Sequence, residues 1–319
     1  MAPMQEPREQ EQPDLTTHLG PLELRTPIIA ASGTFGYGTE FSGLADFSYF
    51  GAIILKAVSL EPRIGNPYPR IVETPAGMLN CIGLENPGVE VFLREKLPAA
   101  ANLGVPLIAN LVGDRVQDYA DLAAILDKEG SLVALEVNAS CPNVDHGYLW
   151  FAADTHALSS LVAAVRKASK KPLIVKLSPN VTDIVPLAKA AIESGADILD
   201  LVNTFLGMSI CVDTGRSRLS RDYAGLSGRA IRPLALRVVH QVASALRAPI
   251  IGTGGIYETG DAIEFLIAGA SAVSLGTVNF IQPNRAMDIC EELRMYLCRH
   301  GTTLRELVGS YRGPGLSMD

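Results

Sequence analysis

The fold is decided by residues 249–277, which read PIIGTGGIYETGDAIEFLIAGASAVSLGT. Two short apolar runs, Pro249–Gly252 and Ala272–Gly276, have the length and composition of buried strands. Between them, Thr259–Ala268 places apolar residues at helical spacing. A helix that connects two buried strands is typical of parallel strand pairs, so this stretch predicts an α/β fold.

The same alternation extends over most of the chain. The predicted strands are Pro27–Ala31, Ala52–Ala57, Pro106–Leu111, Val133–Asn138, Leu173–Leu177, Ile198–Asn203, Pro249–Gly252 and Ala272–Gly276. The predicted helices are Val116–Lys128, Ala157–Ser169, Ile184–Ser194, Ile231–Leu246, Thr259–Ala268 and Ala286–Arg299. This pattern predicts a closed (β/α)₈ TIM barrel. An open doubly wound sheet is the alternative, but no GxGxxG motif follows the first strand.

Composition restricts the class of protein. The chain has 319 residues, is 48% hydrophobic and carries a net charge of −7, which argues against nucleic acid as a partner. No apolar run is long enough to span a membrane, so no membrane association is expected. Residues 1–16 are polar and proline-rich and are predicted to form a disordered tail without a signal peptide. Residues 17–319 are predicted to form one barrel domain.

The five cysteines are scattered and show no CxxC spacing. This pattern predicts no disulfide framework and no metal site, and it favours a cytoplasmic protein. Any iron–sulfur cluster would have to lie on another chain, because clusters need grouped cysteines.

Two connections, residues 59–86 and 205–228, are longer than ordinary βα loops. Both follow the carboxyl ends of predicted strands. Loop insertions are therefore expected at the C-terminal face, where barrel enzymes build their active sites.

The predicted strands end in polar residues or glycines at that same face. These residues are Ser32, Lys56, Asn110, Asn138, Lys176, Asn203, Thr204, Gly254, Gly255, Gly276 and Thr277. The glycines after the seventh and eighth strands predict a phosphate site, although tight turns alone could also explain them.

Two lysines lie on the opposite side of the predicted barrel from the glycines. Lys56 and Lys176 would need a negative partner if buried. A flavin mononucleotide (FMN) across the mouth would place its phosphate at the glycines and its ring near the lysines. Carboxamides at Asn80, Asn138, Asn143 and Asn203 would suit a pyrimidine-like substrate beside the ring, because they pair with amide and imide edges.

One further stretch, residues 138–143, reads Asn-Ala-Ser-Cys-Pro-Asn and follows the fourth strand. A thiol between carboxamides is poor core material, although free cysteines are often simply buried. Together with the polar strand ends, the stretch indicates a functional Cys141.

From about Leu22 to His300, the chain resembles a dihydroorotate dehydrogenase of class 1. The resemblance rests on residues 31–36 (ASGTFG), 73–84 (ETPAGMLNCIGL) and 138–143, and on the glycine pairs after the last two strands. Cys141 stands where the membrane-associated class 2 enzymes carry serine. Residues 62–67, 82–88 and 225–228 resemble type B, the catalytic subunit that works with an electron-transfer subunit.

The resemblance implies the reaction and the residues that perform it. Cys141 would remove the C5 proton of dihydroorotate, hydride would pass from C6 to N5 of FMN, and Lys56 and Lys176 would stabilise the developing charge. The implied FMN contacts are Ser32, Lys56, Ala57, Asn110, Asn138, Lys176, Val202, Gly228, Gly254, Gly255, Gly276 and Thr277. The implied contacts with dihydroorotate or orotate are Lys56, Asn80, Cys81, Ile82, Gly83, Leu84, Asn138, Asn143, Asn203 and Thr204.

The resemblance also implies partners. A homodimer core would bind two electron-transfer subunits, which carry FAD and a [2Fe–2S] cluster and reduce NAD⁺. Three alternatives remain open: a fumarate-linked type A enzyme, an FMN barrel acting on another dihydropyrimidine, and a non-catalytic flavin-binding scaffold. Residues 144–151 (VDHGYLWF) depart from the basic, glycine-rich stretch usual in the family. The resemblance therefore does not determine how this segment covers the substrate.

Overall fold

The computed structural model describes residues 12–139 and 153–314. Its centre is a closed barrel of parallel strands, as the sequence predicts. The barrel strands are Ile28–Ala30 (β1), Ala52–Ile54 (β2), Leu107–Leu111 (β3), Leu132–Asn138 (β4), Leu173–Lys176 (β5), Ile198–Leu201 (β6), Ile250–Thr253 (β7) and Ala272–Leu275 (β8). They pair in chain order, and β8 pairs with β1 to close the ring.

Several strands end earlier than the apolar runs that predict them. β2 ends at Ile54 rather than Ala57, because the Lys56 N–H leaves the barrel ladder and donates to the carbonyl oxygen of Gly36 at 2.8 Å. The residues just past each strand end are thereby freed to line the mouth of the barrel.

Helices surround the barrel, and all the predicted helices are present with slightly shifted ends. They are Val116–Leu126 (α1), Thr155–Ala168 (α2), Val185–Glu193 (α3), Arg232–Ala245 (α4), Thr259–Ile267 (α5) and Arg285–His300 (α6). The Asp154 side chain caps α2 by accepting hydrogen bonds from the backbone N–H groups of His156 and Ala157. Shorter helices cover Gly88–Val91, Leu97–Ala101 and Leu304–Leu307, with a π-helical turn at Phe92–Lys96.

An N-terminal hairpin, formed by Thr17–Leu19 and Leu22–Leu24, covers one end of the barrel. Its leucines pack with inward-facing residues such as Ile29, Ile198 and Ile251 near the beginnings of the strands. Leu15, within the predicted tail, is also buried against the main core. One end of the barrel interior is therefore apolar and filled, which leaves the carboxyl ends of the strands for the site.

The two long insertions fold together into one antiparallel sheet at the opposite end. Its strands, in spatial order, are Phe205–Gly207, Ala224–Ser227, Gly77–Asn80 and Ile71–Thr74. A small hairpin, Ile210–Cys211 with Arg216–Ser217, extends from it. The described ranges contain no helix that is long and apolar enough to cross a membrane.

Candidate active site

A cavity of about 310 Å³ lies at the carboxyl ends of the barrel strands, beside the sheet formed by the two insertions. Its volume is in the range of small-ligand sites. The lining includes residues from every barrel strand end, and the polar ones converge from opposite sides of the mouth.

All the residues expected to contact a flavin line this cavity. They are Ser32, Lys56, Ala57, Asn110, Asn138, Lys176, Val202, Gly228, Gly254, Gly255, Gly276 and Thr277. They come from segments far apart in the chain, and the closed barrel brings their strand ends to one rim.

The expected substrate residues divide into three groups. Asn80, Ile82, Leu84, Asn203 and Thr204 line the cavity, as do Lys56 and Asn138. Cys81 and Gly83 do not belong to the lining. Cys141 and Asn143 lie outside the described residues.

The position of Cys81 follows from the alternation of side chains along an extended strand. Asn80 faces the cavity, and its Nδ2 donates to the Gly225 carbonyl oxygen at 3.3 Å. Cys81 faces the other way, is fully buried, and its Sγ lies 3.5 Å from the Ser220 hydroxyl. A contact between Cys81 and a ligand in the cavity would have to involve its backbone.

The loop at residues 82–86 is held from behind by Asn86. The Asn86 side chain donates to the Leu84 carbonyl oxygen at 2.9 Å and accepts from the Gly88 N–H at 2.9 Å. Leu84 adopts a left-handed conformation with φ of 57°, which costs free energy for a residue with a branched side chain. The anchored loop compensates this strain and directs Ile82 and Leu84 to the cavity.

Two carboxamides meet on the floor of the mouth. The Asn203 Nδ2 donates to the Asn138 Oδ1 at 3.3 Å, which links β4 to the residues after β6. The Tyr119 hydroxyl donates to the Asn138 carbonyl oxygen at 3.0 Å and fixes the end of β4 from the helix layer. The hydrogen bond between the two carboxamides orients the side chains of Asn138 and Asn203 before a ligand binds.

Lys56 is the more exposed of the two cationic candidates. Its Nζ lies 3.8 Å from the Glu85 Oε2, and the Arg70 guanidinium approaches the same oxygen to 2.9 Å. The Arg70 guanidinium is therefore a closer ion-pair partner of Glu85 than the Lys56 ammonium is. Within residues 12–139 and 153–314, this loose ion pair is the only one that the Lys56 ammonium makes, so it can engage an anionic ligand in the cavity that it lines.

Lys176 belongs to a buried polar layer inside the barrel, directly beneath the cavity. Its Nζ donates to the Asp200 Oδ2 at 2.7 Å, and the Thr253 hydroxyl donates to the Asp200 Oδ1 at 2.5 Å. On the adjacent strands, the Asn110 Nδ2 donates to the Glu136 Oε1 at 2.5 Å. Asn110, Glu136 and Asp200 are completely shielded from solvent.

The charges of this layer influence one another. Burial alone would lower the pKa of Lys176, but the carboxyls of Asp200 and Glu136 outweigh it and hold the pKa above its usual value. Burial raises the pKa of Glu136 to about 8, with Lys176 opposing and Asp200 adding to the shift. Lys176 is therefore a permanent cation at the floor of the cavity.

Glu136, Asp200 and Thr253 were not predicted as site residues from the sequence. The sequence does indicate two of them, because Glu136 and Asp200 are acidic residues inside otherwise apolar runs of strand residues. Glu136 also lies two positions before Asn138, so the two side chains face the same side of β4. Such an acid must find partners inside the barrel.

The glycines after β7 are required by their surroundings. Gly254 has φ of 136°, and a Cβ there would lie 2.6 Å from the Ala235 Cβ. Gly255 has φ of 74°, and a Cβ would lie 2.7 Å from the Arg232 backbone nitrogen at the start of α4. Close packing of the strand end on the helix explains both residues.

Gly276, after β8, is different. Apart from its chain neighbours, the nearest atom of the described residues to a Cβ there would be the Ala31 Cβ at 3.9 Å, although the residue lines the cavity. The missing side chain leaves a backbone cradle that a ligand can approach, next to the Thr277 hydroxyl, which donates to Ser227 at 2.8 Å.

Comparison with known proteins identifies similar sequences over nearly the whole chain. The sequence profile of the family described as dihydroorotate dehydrogenase matches residues 14–297. A protein of Pelobacter propionicus named dihydroorotate dehydrogenase B (NAD(+)), catalytic subunit, is 50% identical over 299 residues, which cover 93% of this chain and 98% of that protein.

Proteins of the same name from two further bacteria are similar to this extent. The Geotalea daltonii protein and the Geobacter sulfurreducens protein are each 48% identical to this chain over 301 residues. Both alignments cover 94% of this chain and 99% of the relative.

Proposed function

Because the chain belongs to the dihydroorotate dehydrogenase family, we propose that it oxidises dihydroorotate to orotate in pyrimidine biosynthesis as an NAD⁺-linked, type B catalytic subunit. The observation that carries the proposal is the convergence of cationic, carboxamide and glycine residues on one cavity at the mouth of the barrel. That set matches a flat, polar, anionic ligand pair better than an apolar one.

The residues present fit FMN as the resident cofactor. Gly276 leaves a cradle for a phosphate group, and the backbone around Gly254 and Gly255 closes the same end of the cavity. Among the described residues, no group donates to the buried Oδ1 of Asn110, which would accept an N–H from a bound ring. When bound, FMN supplies the hydride acceptor.

The chain's own residues perform the remaining tasks. Lys176 would hold a positive charge at the floor of the cavity, where it would stabilise negative charge on a bound flavin. Lys56 holds the anionic substrate, and Asn80, Asn138 and Asn203 orient it through its amide edges.

Cys141 is proposed as the base that removes the C5 proton. This role rests on the resemblance, since the residue lies outside the described part of the chain. A free cysteine has a pKa near 8.5, so the rate should rise with pH until the thiolate predominates.

A partner subunit is proposed to receive the electrons and pass them to NAD⁺. The sequence of this chain offers neither a grouped set of cysteines for a cluster nor a dinucleotide motif after the first strand. FAD and the [2Fe–2S] cluster are therefore assigned to an electron-transfer subunit, two of which bind a homodimer of this chain.

Steady-state turnover tests the proposal. Purified protein is supplied with dihydroorotate and an artificial electron acceptor, and orotate formation is followed by absorbance, with dihydrouracil as the competing substrate. We expect turnover with dihydroorotate and none with dihydrouracil. Turnover with dihydrouracil only would indicate another dihydropyrimidine, and flavin without any turnover would favour a scaffold.

The physiological acceptor is tested separately. The isolated chain and the chain co-purified with its partner are each supplied with fumarate and with NAD⁺. We expect NAD⁺ reduction only in the complex. Efficient fumarate reduction by the isolated chain would favour the type A enzyme.

A further inference from the structure

The buried layer beneath the cavity contains two carboxyl groups and one ammonium group. Asn110, Glu136, Lys176, Asp200 and Thr253 come from the successive strands β3 to β7, and each of the five is buried. Glu136 and Asp200 do not line the cavity, whereas Asn110, Lys176 and Thr253 do. The two carboxyls therefore lie one layer below any ligand and act on it through the residues above them.

The two carboxyls are not equally supported. Asp200 accepts from the Lys176 ammonium and from the Thr253 hydroxyl. Glu136 accepts only from the neutral Asn110 amide, and among the described residues none donates to its Oε2. The neighbouring Asp200 carboxyl adds to the effect of burial and raises the pKa of Glu136 further. Because a carboxylate has no proton to donate, a hydrogen bond between the two carboxyls requires that one of the two acids be protonated.

The proton belongs on Glu136. Two ionised carboxylates and one ammonium would leave a net charge of −1 in a region that water does not reach, which is costly. Asp200 already has an ammonium and a hydroxyl to stabilise its charge, whereas the described part of the chain offers Glu136 a single neutral donor. With Glu136 protonated, the layer is electrically neutral and the acid has a proton to donate to the neighbouring Asp200 carboxylate. Burial accordingly raises the pKa of Glu136 to about 8.

We propose that Glu136 is a buried proton-carrying residue whose protonation is coupled to the charge of the flavin above it, with Lys176 between them. This inference rests on the proposed function, because it requires a flavin in the cavity. Glu136 does not line the cavity, whereas Lys176 does. Glu136 therefore acts on a ligand through Lys176 and is a positioning residue for charge.

The coupling follows from charge balance. Uptake of two electrons and one proton would lower the net charge of a bound flavin by one. A new negative charge above the layer makes the ionised form of Glu136 less favourable. At a pH where Glu136 is partly ionised, its carboxylate then takes one proton from solvent and becomes a carboxylic acid, and neither electrons nor other bonds are involved.

Reductive titration of the flavin with dithionite at fixed pH values between 6 and 9.5 tests this coupling. One proton per two electrons gives a midpoint potential that falls by about 30 mV per pH unit, and two protons give about 60 mV. We expect about 30 mV per pH unit below pH 8 and a steeper slope, toward 60 mV, above it. The background is the Cys141→Ser variant, because the thiol titrates in the same range.

Two variants assign the extra proton. Glu136→Gln mimics the protonated acid, since its amide can donate to Asp200 and its oxygen can accept from Asn110, so the slope should stay near 30 mV per pH unit throughout. Ser274→Ala, at another buried polar side chain of the barrel interior that has no proton to exchange in this range, should retain the steeper slope.

Infrared difference spectra of the reduced minus the oxidised protein at pH 9 give a second readout that needs no change at Glu136. A carboxylic acid carbonyl band should appear on reduction in the Cys141→Ser protein. A constant slope together with no such band, or a steeper slope that persists in Glu136→Gln, overturns the inference. Dithionite reduces any bound flavin, so these results are independent of whether dihydroorotate is the substrate, and absence of bound flavin would refute both proposals.

Discussion

Removing the counterion of Lys176 is the perturbation whose cost the structure defines best. Asp200→Asn keeps the shape of the side chain but abolishes its charge, and the Lys176 ammonium is almost completely buried. Loss of one partner from a buried ion pair costs about 3–5 kcal/mol of the free energy of unfolding. In this layer Glu136 can ionise and replace part of the lost charge, so the full cost is expected only in the Glu136→Gln background.

The assay is urea unfolding followed by circular dichroism at pH 7, at two saturating FMN concentrations so that flavin affinity is separated from protein stability. With an unfolding entropy of about 2.1 cal/mol/K per residue, the predicted loss corresponds to a decrease in melting temperature of about 4–8 °C for 319 residues. The matched control is Glu193→Gln, because the Lys189–Glu193 pair is more than half exposed and such a pair contributes about 0.5 kcal/mol or less. A loss below about 1 kcal/mol in the Glu136→Gln background would show that Asp200 is not the main counterion of Lys176, and equal losses in both backgrounds would show that Glu136 does not replace its charge.

Three further predictions concern the base, the cradle and the buried acid. Cys141→Ser should slow flavin reduction by dihydroorotate by several orders of magnitude at pH 7 while FMN remains bound; rapid-mixing absorbance measures the rate, and an unchanged rate would exclude the thiol as base. Gly276→Ala should weaken FMN binding at least tenfold by equilibrium dialysis, because its Cβ enters the cavity, whereas Gly260→Ala, at an exposed position of α5, should leave binding unchanged. Because the pKa of Glu136 is raised on folding, the folded state binds the extra proton between about pH 4.5 and 8, and stability from this group falls as pH rises through that window. Glu136→Gln should therefore gain stability relative to the parent protein as pH rises toward 8, as measured by urea unfolding, and a parallel pH dependence of the two proteins would contradict the raised pKa.

The barrel could be predicted from sequence because its strands are buried on both faces. Runs such as Leu173–Lys176 and Ile198–Leu201 contain almost only apolar residues and are separated by helices of regular period. The ends of these strands were less certain, since hydrogen bonds such as that between Lys56 and Gly36 decide where pairing stops. The amino-acid composition of a strand does not predict such hydrogen bonds.

The sheet at the mouth could not be predicted in the same way. Its strands are short and partly exposed, and they pair across long sequence separations, as Asn80 does with Gly225. No local pattern encodes such a pairing. The insertions were therefore predicted only as long functional loops. Their strands are seen only in the structure.

The candidate site was predicted at the level of residue types at strand ends. Polar strand ends indicated the rim, and the resemblance supplied individual roles. The layer below the rim was missed because an acid within a strand, such as Glu136 or Asp200, was treated as part of an apolar run. An inward-facing acid inside a barrel is a strong signal, because it must find a proton or a cation there.

The most direct test of the central claim is anaerobic mixing of the purified, flavin-containing protein with L-dihydroorotate, with absorbance followed in the flavin band. We expect rapid and complete bleaching with one equivalent of orotate formed per flavin. A flavin that is reduced by dithionite but remains oxidised in the presence of dihydroorotate, both in the isolated chain and in its complex with a partner subunit, would contradict it.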